Sequence, residues 1–148
     1  MLSTICALDM LKAGGTAVDA AIAANAILGL VEPTGGGIGG DLFALLWSTR
    51  EKRLVGLNAS GRSPQSLTLD TLTSQGLDYL PPYGPLPVSV PGCVDGWSML
   101  HQRYGALPFS ELFEPAIMYA SKGFPVSEVI AWEMAHNAKR LKSFNGFS

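Results

Sequence analysis

The sequence predicts an α+β fold: two helices, a β-hairpin, an irregular crossing, then three more helices. Three observations lead there. Apolar residues recur at helical spacing near both ends of the chain. Two apolar runs, Leu42–Trp47 and Leu54–Leu57, flank a short polar turn in the middle. Residues 81–92 then hold five prolines, which rules out a regular element there. With 148 residues, 47% hydrophobic and only 15% charged, much of the chain is expected to be interior.

The first helix is expected over Ser3–Ala13, with Ile5, Leu8 and Leu11 in phase and Gly14-Gly15 ending it. Thr16 then reads as an N-cap, and Asp19 three residues on completes a capping box with Asp in place of Glu. The second helix, Ala17–Leu28, has alanine at 17, 20, 21, 23, 24 and 26. So little side-chain bulk suits close neighbours on most sides. Gly29 and Pro33 are expected to close it.

Leu42–Trp47 is apolar at every position, as in a strand covered on both faces. Thr49–Arg53 turns the chain and Leu54–Leu57 pairs back as a hairpin. Ser60–Pro64 leaves the strand as a loop, and Thr68–Gly76 suits a short helix. The proline stretch reads as an ordered extended crossing or as a local linker. Pro91-Gly92 opens a helix to about Tyr104, capped by Gly105. The next helix starts at Pro108 or Ser110, with Leu112, Phe113, Ala116, Ile117 and Ala120 on one face, and stops at Gly123. Ser127 caps the last helix, which runs to about Leu141.

Residues 35–40 read Gly-Gly-Gly-Ile-Gly-Gly. Such a loop can approach other groups closely and leaves N–H groups bare, ready for an anionic or carbonyl oxygen. Gly35, Gly37 and Gly40 satisfy G-x-G-x-x-G, but a dinucleotide loop follows a strand and opens a helix. Here a helix precedes and a strand follows. No Gly-Lys-Ser/Thr of a P-loop is present.

The net charge of −2, without a basic cluster, leaves no footprint for nucleic acid. Lys139, Arg140 and Lys142 sit where they complement a helix C-terminus. Cys6 and Cys93 are too few for a disulfide framework, and His101 and His136 have no ligand-spaced partner. The longest apolar stretch, Ala20–Val31, contains Asn25 and is too short to span a bilayer.

Two residues stand out chemically. Cys93 follows Pro91-Gly92 at a helix start, where a thiol pKa falls. No His or Asp is marked as its base, so a small buried residue is the better reading and a cysteine hydrolase the lesser one. Arg62 follows a strand end through Asn58-Ala59-Ser60-Gly61. It offers a bidentate fork for a carboxylate. On composition alone it is a surface arginine.

Five stretches, in order, carry a resemblance. Gly14-Gly15-Thr16-Ala17-Val18-Asp19-Ala20-Ala21 resembles G-G-N-A-V-D-A-A. Val31-Glu32-Pro33 with Gly37-Ile38-Gly39-Gly40 resembles V-E-P…G-I-G-G. Val88-Ser89-Val90-Pro91-Gly92 matches V-x-V-P-G. Leu112-Phe113-Glu114-Pro115-Ala116 and Gly123-Phe124-Pro125-Val126 match L-x-E-P-A-I-x-x-A-x-x-G-F-P-V. Together they are similar to the large-subunit region of the gamma-glutamyltransferases (glutathione hydrolases), over nearly the whole chain.

The resemblance implies an N-terminal-nucleophile hydrolase fold of layered αββα type, made by a precursor that cleaves itself. A threonine at the start of the small subunit attacks the gamma-glutamyl amide of glutathione or a related donor, and water or an amino acid accepts the group. An arginine after the second strand of the large subunit holds the α-carboxylate, and Arg62 occupies that place. The implied partners are a small-molecule gamma-glutamyl substrate and the small subunit of the same precursor, as a heterodimer. No cofactor is implied. Bacterial relatives are often exported to the periplasm or secreted, and divergent branches stay in the cytoplasm.

Two positions depart from the family pattern: Thr16 replaces its asparagine, and Asp41 stands where a glycine is usual. Asp41 reads as an acceptor for bare glycine amides. The competing reading is a divergent branch with another acyl donor, such as an acylated cephalosporin. No Thr-Thr-His-type cleavage site occurs in the sequence. Residues 1–148 are therefore expected to be part of one large-subunit domain, with the small subunit, the nucleophile and the oxyanion donors absent. No catalytic residue or metal ligand is assigned within them, and the chain alone is expected to be inactive, with unpaired hairpin edges. A remnant without catalysis is the alternative from another class.

Overall fold

The computed structural model describes residues 1–144. Helix α1 (Leu2–Lys12) leads through a turn at Gly14, where φ is +91°, into helix α2 (Ala17–Val31). The inward face of α1 carries Leu2, Cys6 and Met10. The expected stripe of Ile5, Leu8 and Leu11 stays about half exposed. Both faces are apolar, so periodicity alone does not choose between them.

The capping box forms as expected. The Asp19 N–H donates to Thr16 Oγ1 at 3.3 Å, and the Thr16 N–H donates to Asp19 Oδ2 at 2.7 Å. α2 is the centre of the fold, with Val18, Ala20, Ile22, Ala23, Ala26 and Ile27 buried against α1 and the later helices. It runs past Gly29 to Val31, so Gly29 is not its terminus. A Cβ on Gly29 would lie 3.2 Å from the Gly37 Cα. The glycine at 29 lets the glycine loop pass close over the helix.

Strands β1 (Leu42–Ser48) and β2 (Arg53–Ala59) form an antiparallel pair in the register Leu42↔Ala59, Leu45↔Gly56 and Ser48↔Arg53. Leu42 and Leu46 face the core. Phe43, Leu45, Trp47 and Leu54 form the opposite face and are largely exposed. The run expected to be covered on both faces is thus covered on one, because no described element packs on the other. Glu51 in the hairpin turn accepts from Arg53, Arg103 and Tyr104, which fastens the turn to the end of the next long helix. Led by the Arg53 bond, these donors outweigh partial desolvation and lower the Glu51 pKa.

A short helix α3 (Leu69–Ser74) is capped by Thr68, and the proline stretch then crosses without regular structure. It is an ordered crossing: the Val90 N–H donates to the Arg62 carbonyl at 2.9 Å, and the Tyr83 ring lies 4.7 Å from the Arg140 guanidinium. Helix α4 (Cys93–Tyr104) buries Cys93, Gly96 and Trp97. A Cβ on Gly96 would meet Ala59 Cβ and Leu42 Cδ2 at 2.7 Å, so this glycine sets how closely α4 lies on the hairpin. Gly105 caps α4 as expected, its N–H donating to the His101 carbonyl at 2.8 Å, with φ −76°. Its Cβ would meet the His101 ring at 2.3 Å, and that lack of space is what demands glycine.

The next expected helix is split. Phe109–Phe113 is a 3-10 turn, and α5 (Glu114–Lys122) follows. Leu112 is fully buried and Ala116 and Tyr119 pack beside it, while Ile117 and Ala120 are exposed. The tighter 3-10 turn rotates the apolar face relative to one continuous helix. Gly123, at φ +86°, ends α5, and Ser127 caps α6 (Glu128–Leu141) as expected. No helix among the described residues is long and apolar enough to cross a membrane.

Candidate functional site

Three loops converge where β2 ends. They are the glycine loop before β1, the Asn58–Pro64 segment after β2, and the Val88–Gly92 segment before α4. The Gly40 carbonyl accepts from both the Gly92 and Cys93 N–H groups, at 3.1 and 3.0 Å. One oxygen of the glycine loop therefore occupies two of the donors that a helix start leaves open. The contact also fixes where α4 begins relative to β1.

Arg62 sits in the middle of this junction. The Gly61 N–H donates to Asp41 Oδ1 at 2.8 Å, and the Arg62 carbonyl accepts from Val90 at 2.9 Å. Two residues earlier, Asn58 Oδ1 accepts from the Ser60 N–H at 2.9 Å, closing an Asx-type turn. The backbone is held on both sides of the Arg62 Cα. The side chain is exposed and makes no hydrogen bond or ion pair with any described residue. A cation on a braced backbone, with its guanidinium donors unused, is suited to a bidentate anion.

Glycine is required at two positions here. A Cβ on Gly61 would lie 1.8 Å from the Val90 carbonyl oxygen, and one on Gly92 2.3 Å from the Ala59 carbonyl oxygen. Both obstacles are backbone atoms that cannot rotate away. Gly61→Ala is expected to displace the Arg62 loop and destabilise the fold by about 2 kcal/mol, within the usual range for overpacking. Thermal denaturation beside a KM measurement checks it. Unchanged values of both would mean that the contact with Val90 is not tight.

Asp41 does accept from a glycine amide, as the sequence suggested. The donor is Gly61 after β2 and not a glycine of the 35–40 loop. Ser89 Oγ donates to the same Oδ1 at 3.1 Å. Ser89 carried no signal in the sequence beyond the variable place in V-x-V-P-G.

Cys93 is 3% exposed, and burial pushes its thiol pKa up. Among the described residues its thiol's hydrogen-bond partner is Asn25 Oδ1 at 4.0 Å, and that oxygen already accepts from Trp97 Nε1 at 3.0 Å. The expected helix-start activation is outweighed by desolvation, and Asn25 is no base. Cys93 is a packing residue at the foot of α4, which removes the cysteine-hydrolase reading.

The family model for gamma-glutamyltranspeptidase matches residues 3–148. The chain belongs to that family. It is 38% identical over 134 residues to the glutathione hydrolase-like YwrD proenzyme of Bacillus subtilis, covering 90% of this chain and 25% of that protein. The structure of Helicobacter pylori gamma-glutamyltranspeptidase superposes with a TM-score of 0.90 at 30% identity, covering 99% of this chain and 42% of that one. The cephalosporin acylase of Bacillus halodurans superposes at 0.89 with 45% identity, over 96% of this chain and 26% of that one. The chain spans about a quarter of the length of the curated relatives it matches. The α+β arrangement is thus that of gamma-glutamyltranspeptidase and acylase structures.

Proposed function

We propose that this chain supplies the carboxylate-binding part of an enzyme that transfers or hydrolyses gamma-glutamyl groups. The observation that carries this reading is Arg62, exposed and unpaired among the described residues, on a loop hydrogen-bonded on both sides of it. Family membership supplies the reaction class. An α-amino acid donor has a carboxylate that must be fixed, and arginine offers two parallel N–H groups with no pKa ambiguity.

On this reading the threonine hydroxyl that heads the small subunit attacks the gamma-carbonyl carbon. The C–N bond breaks, the amine leaves with the proton, and an ester to the threonine remains. Water or the amino group of an acceptor then cleaves that ester and restores the hydroxyl. Arg62 acts at the far end of the acyl group. It holds the donor's α-carboxylate equally in the ground and transition states, so its loss is felt in KM. Because the nucleophile belongs to the small subunit, the isolated chain is expected not to turn over a gamma-glutamyl anilide.

A second reading, an acylase for an amide other than glutathione, is favoured by the 45% identity with the cephalosporin acylase. Assaying the assembled enzyme on a gamma-glutamyl anilide and on an acylated cephalosporin separates the two. The anilide is expected to be cleaved. Cleavage of the cephalosporin alone would replace the first reading with the second.

A further inference from the structure

We propose that Asp41 is a positioning residue for Arg62, acting through the Gly61 amide and Ser89. The inference rests on the reading of Arg62 as a carboxylate anchor and adds a specificity element to it. Asp41 lies at the end of the glycine loop, directly before β1, twenty residues from the segment it holds. Its Oδ1 receives the Gly61 N–H at 2.8 Å and the Ser89 hydroxyl at 3.1 Å, which joins all three loops at one oxygen. Hydrogen bonds to an ionised acceptor are shorter and stronger than neutral ones. Asp41 itself forms no ion pair within 4.0 Å among the described residues, so its carboxylate braces the Arg62 segment without neutralising the guanidinium.

The other restraints do not replace it. The Val90 bond holds the Arg62 carbonyl, and the tight contact of Gly61 with Val90 blocks movement in one direction only. Without Asp41 the Gly61 N–H loses its acceptor and the segment is free to move away from Val90. Arg62 would keep its charge and lose its aim. The consequence falls on donors that have an α-carboxylate and spares those that lack one.

The test compares a gamma-glutamyl anilide with a gamma-aminobutyryl anilide, the same acyl group without its α-carboxylate, in the assembled enzyme. Asp41→Ala is expected to raise KM for the first about tenfold, the scale of one lost charge-assisted hydrogen bond, with kcat little changed. KM for the second is expected to stay as in the unchanged enzyme. Asp41→Asn keeps an oxygen acceptor and is expected to stay within about threefold of it. Ser89→Ala, a smaller lesion that guards against a misfolded Asp41→Ala, is expected to raise KM about twofold for the carboxylate donor alone. Equal KM changes on both donors, or none, would overturn the proposal. So would an Asp41→Asn variant as impaired as Asp41→Ala, because charge and not placement would then be at work. If Arg62→Ala leaves the preference for the carboxylate donor intact, the Arg62 reading itself fails.

Discussion

Arg62→Lys is expected to raise KM for a gamma-glutamyl donor by about tenfold to a hundredfold and to leave kcat within a few-fold, measured in the assembled enzyme. The charge is preserved, so a purely electrostatic role predicts almost no effect. Lysine presents a compact ammonium on a flexible stem and cannot place two parallel donors on a carboxylate. One to three kcal/mol is about what a lost charge-assisted hydrogen bond is worth, which sets the range. A KM effect with constant kcat is the signature of binding energy felt equally in the ground and transition states. An unchanged KM would remove Arg62 from the site. The loop gives a reason to expect the larger end of the range. Its backbone is already restrained at the Gly61 N–H and the Arg62 carbonyl, so arginine loses little freedom on binding, and lysine has no equivalent geometry to exploit.

What could be read from the sequence was local. The capping box needs only Thr16 and Asp19, and it forms. Gly123 followed by Pro125 marks a helix stop that depends on one φ angle, and the helix stops there. The hairpin follows from two apolar runs and a polar turn, and the two strands pair antiparallel. The failures come from packing or local turns that residue spacing does not reveal. Gly29 looked like a helix end, yet it is a passage for Gly37. Ile117 fell on the expected apolar face only because the 3-10 turn before α5 could not be read from spacing.

The candidate site divides in the same way. The proposed role of Arg62 rests on a strand end, a glycine and the family pattern, all visible in the sequence. The brace around it is not visible there, since Asp41, Gly61 and Ser89 are scattered over some fifty positions and meet only in the folded chain. Pro91-Gly92 was recognisable as a helix start. That Gly92 must be glycine to pass Ala59, and that its amide is taken by Gly40, are facts of packing. The exposed face of Phe43, Leu45, Trp47 and Leu54 is the remaining discrepancy. A run apolar on both sides of the pleat predicts cover on both, and within the described residues it is covered once.

Asp19→Ala is expected to cost about 3 kcal/mol of stability, because it removes one buried carboxylate that accepts three hydrogen bonds at once. The Asp19 side chain is fully buried. Its Oδ2 takes the Thr16 N–H at 2.7 Å, the Thr16 hydroxyl at 3.0 Å and the Ala106 N–H at 2.9 Å. It thereby ties the start of α2 to the loop that leaves α4. Burial by itself raises the carboxyl pKa. The amides of Thr16, Ala106 and Leu107 and the Thr16 hydroxyl oppose it and leave the pKa below the ordinary 3.8. The sign of the pH dependence follows. The unfolded chain binds the proton first as pH falls, so the stabilisation is complete above about pH 4 and is lost on the way down through the lower folded value. Asp19→Asn keeps an oxygen but cannot titrate, and its stability is expected to change less between pH 5 and about pH 2. Urea unfolding of the protein with Asp19 and of the Asp19→Asn variant at several pH values tests this, and parallel losses would show that the acid sensitivity lies elsewhere. The effect reaches the site through α4. One end of that helix is held by Asp19 through Ala106, and the other donates Gly92 and Cys93 to Gly40, next to the residue that braces Arg62.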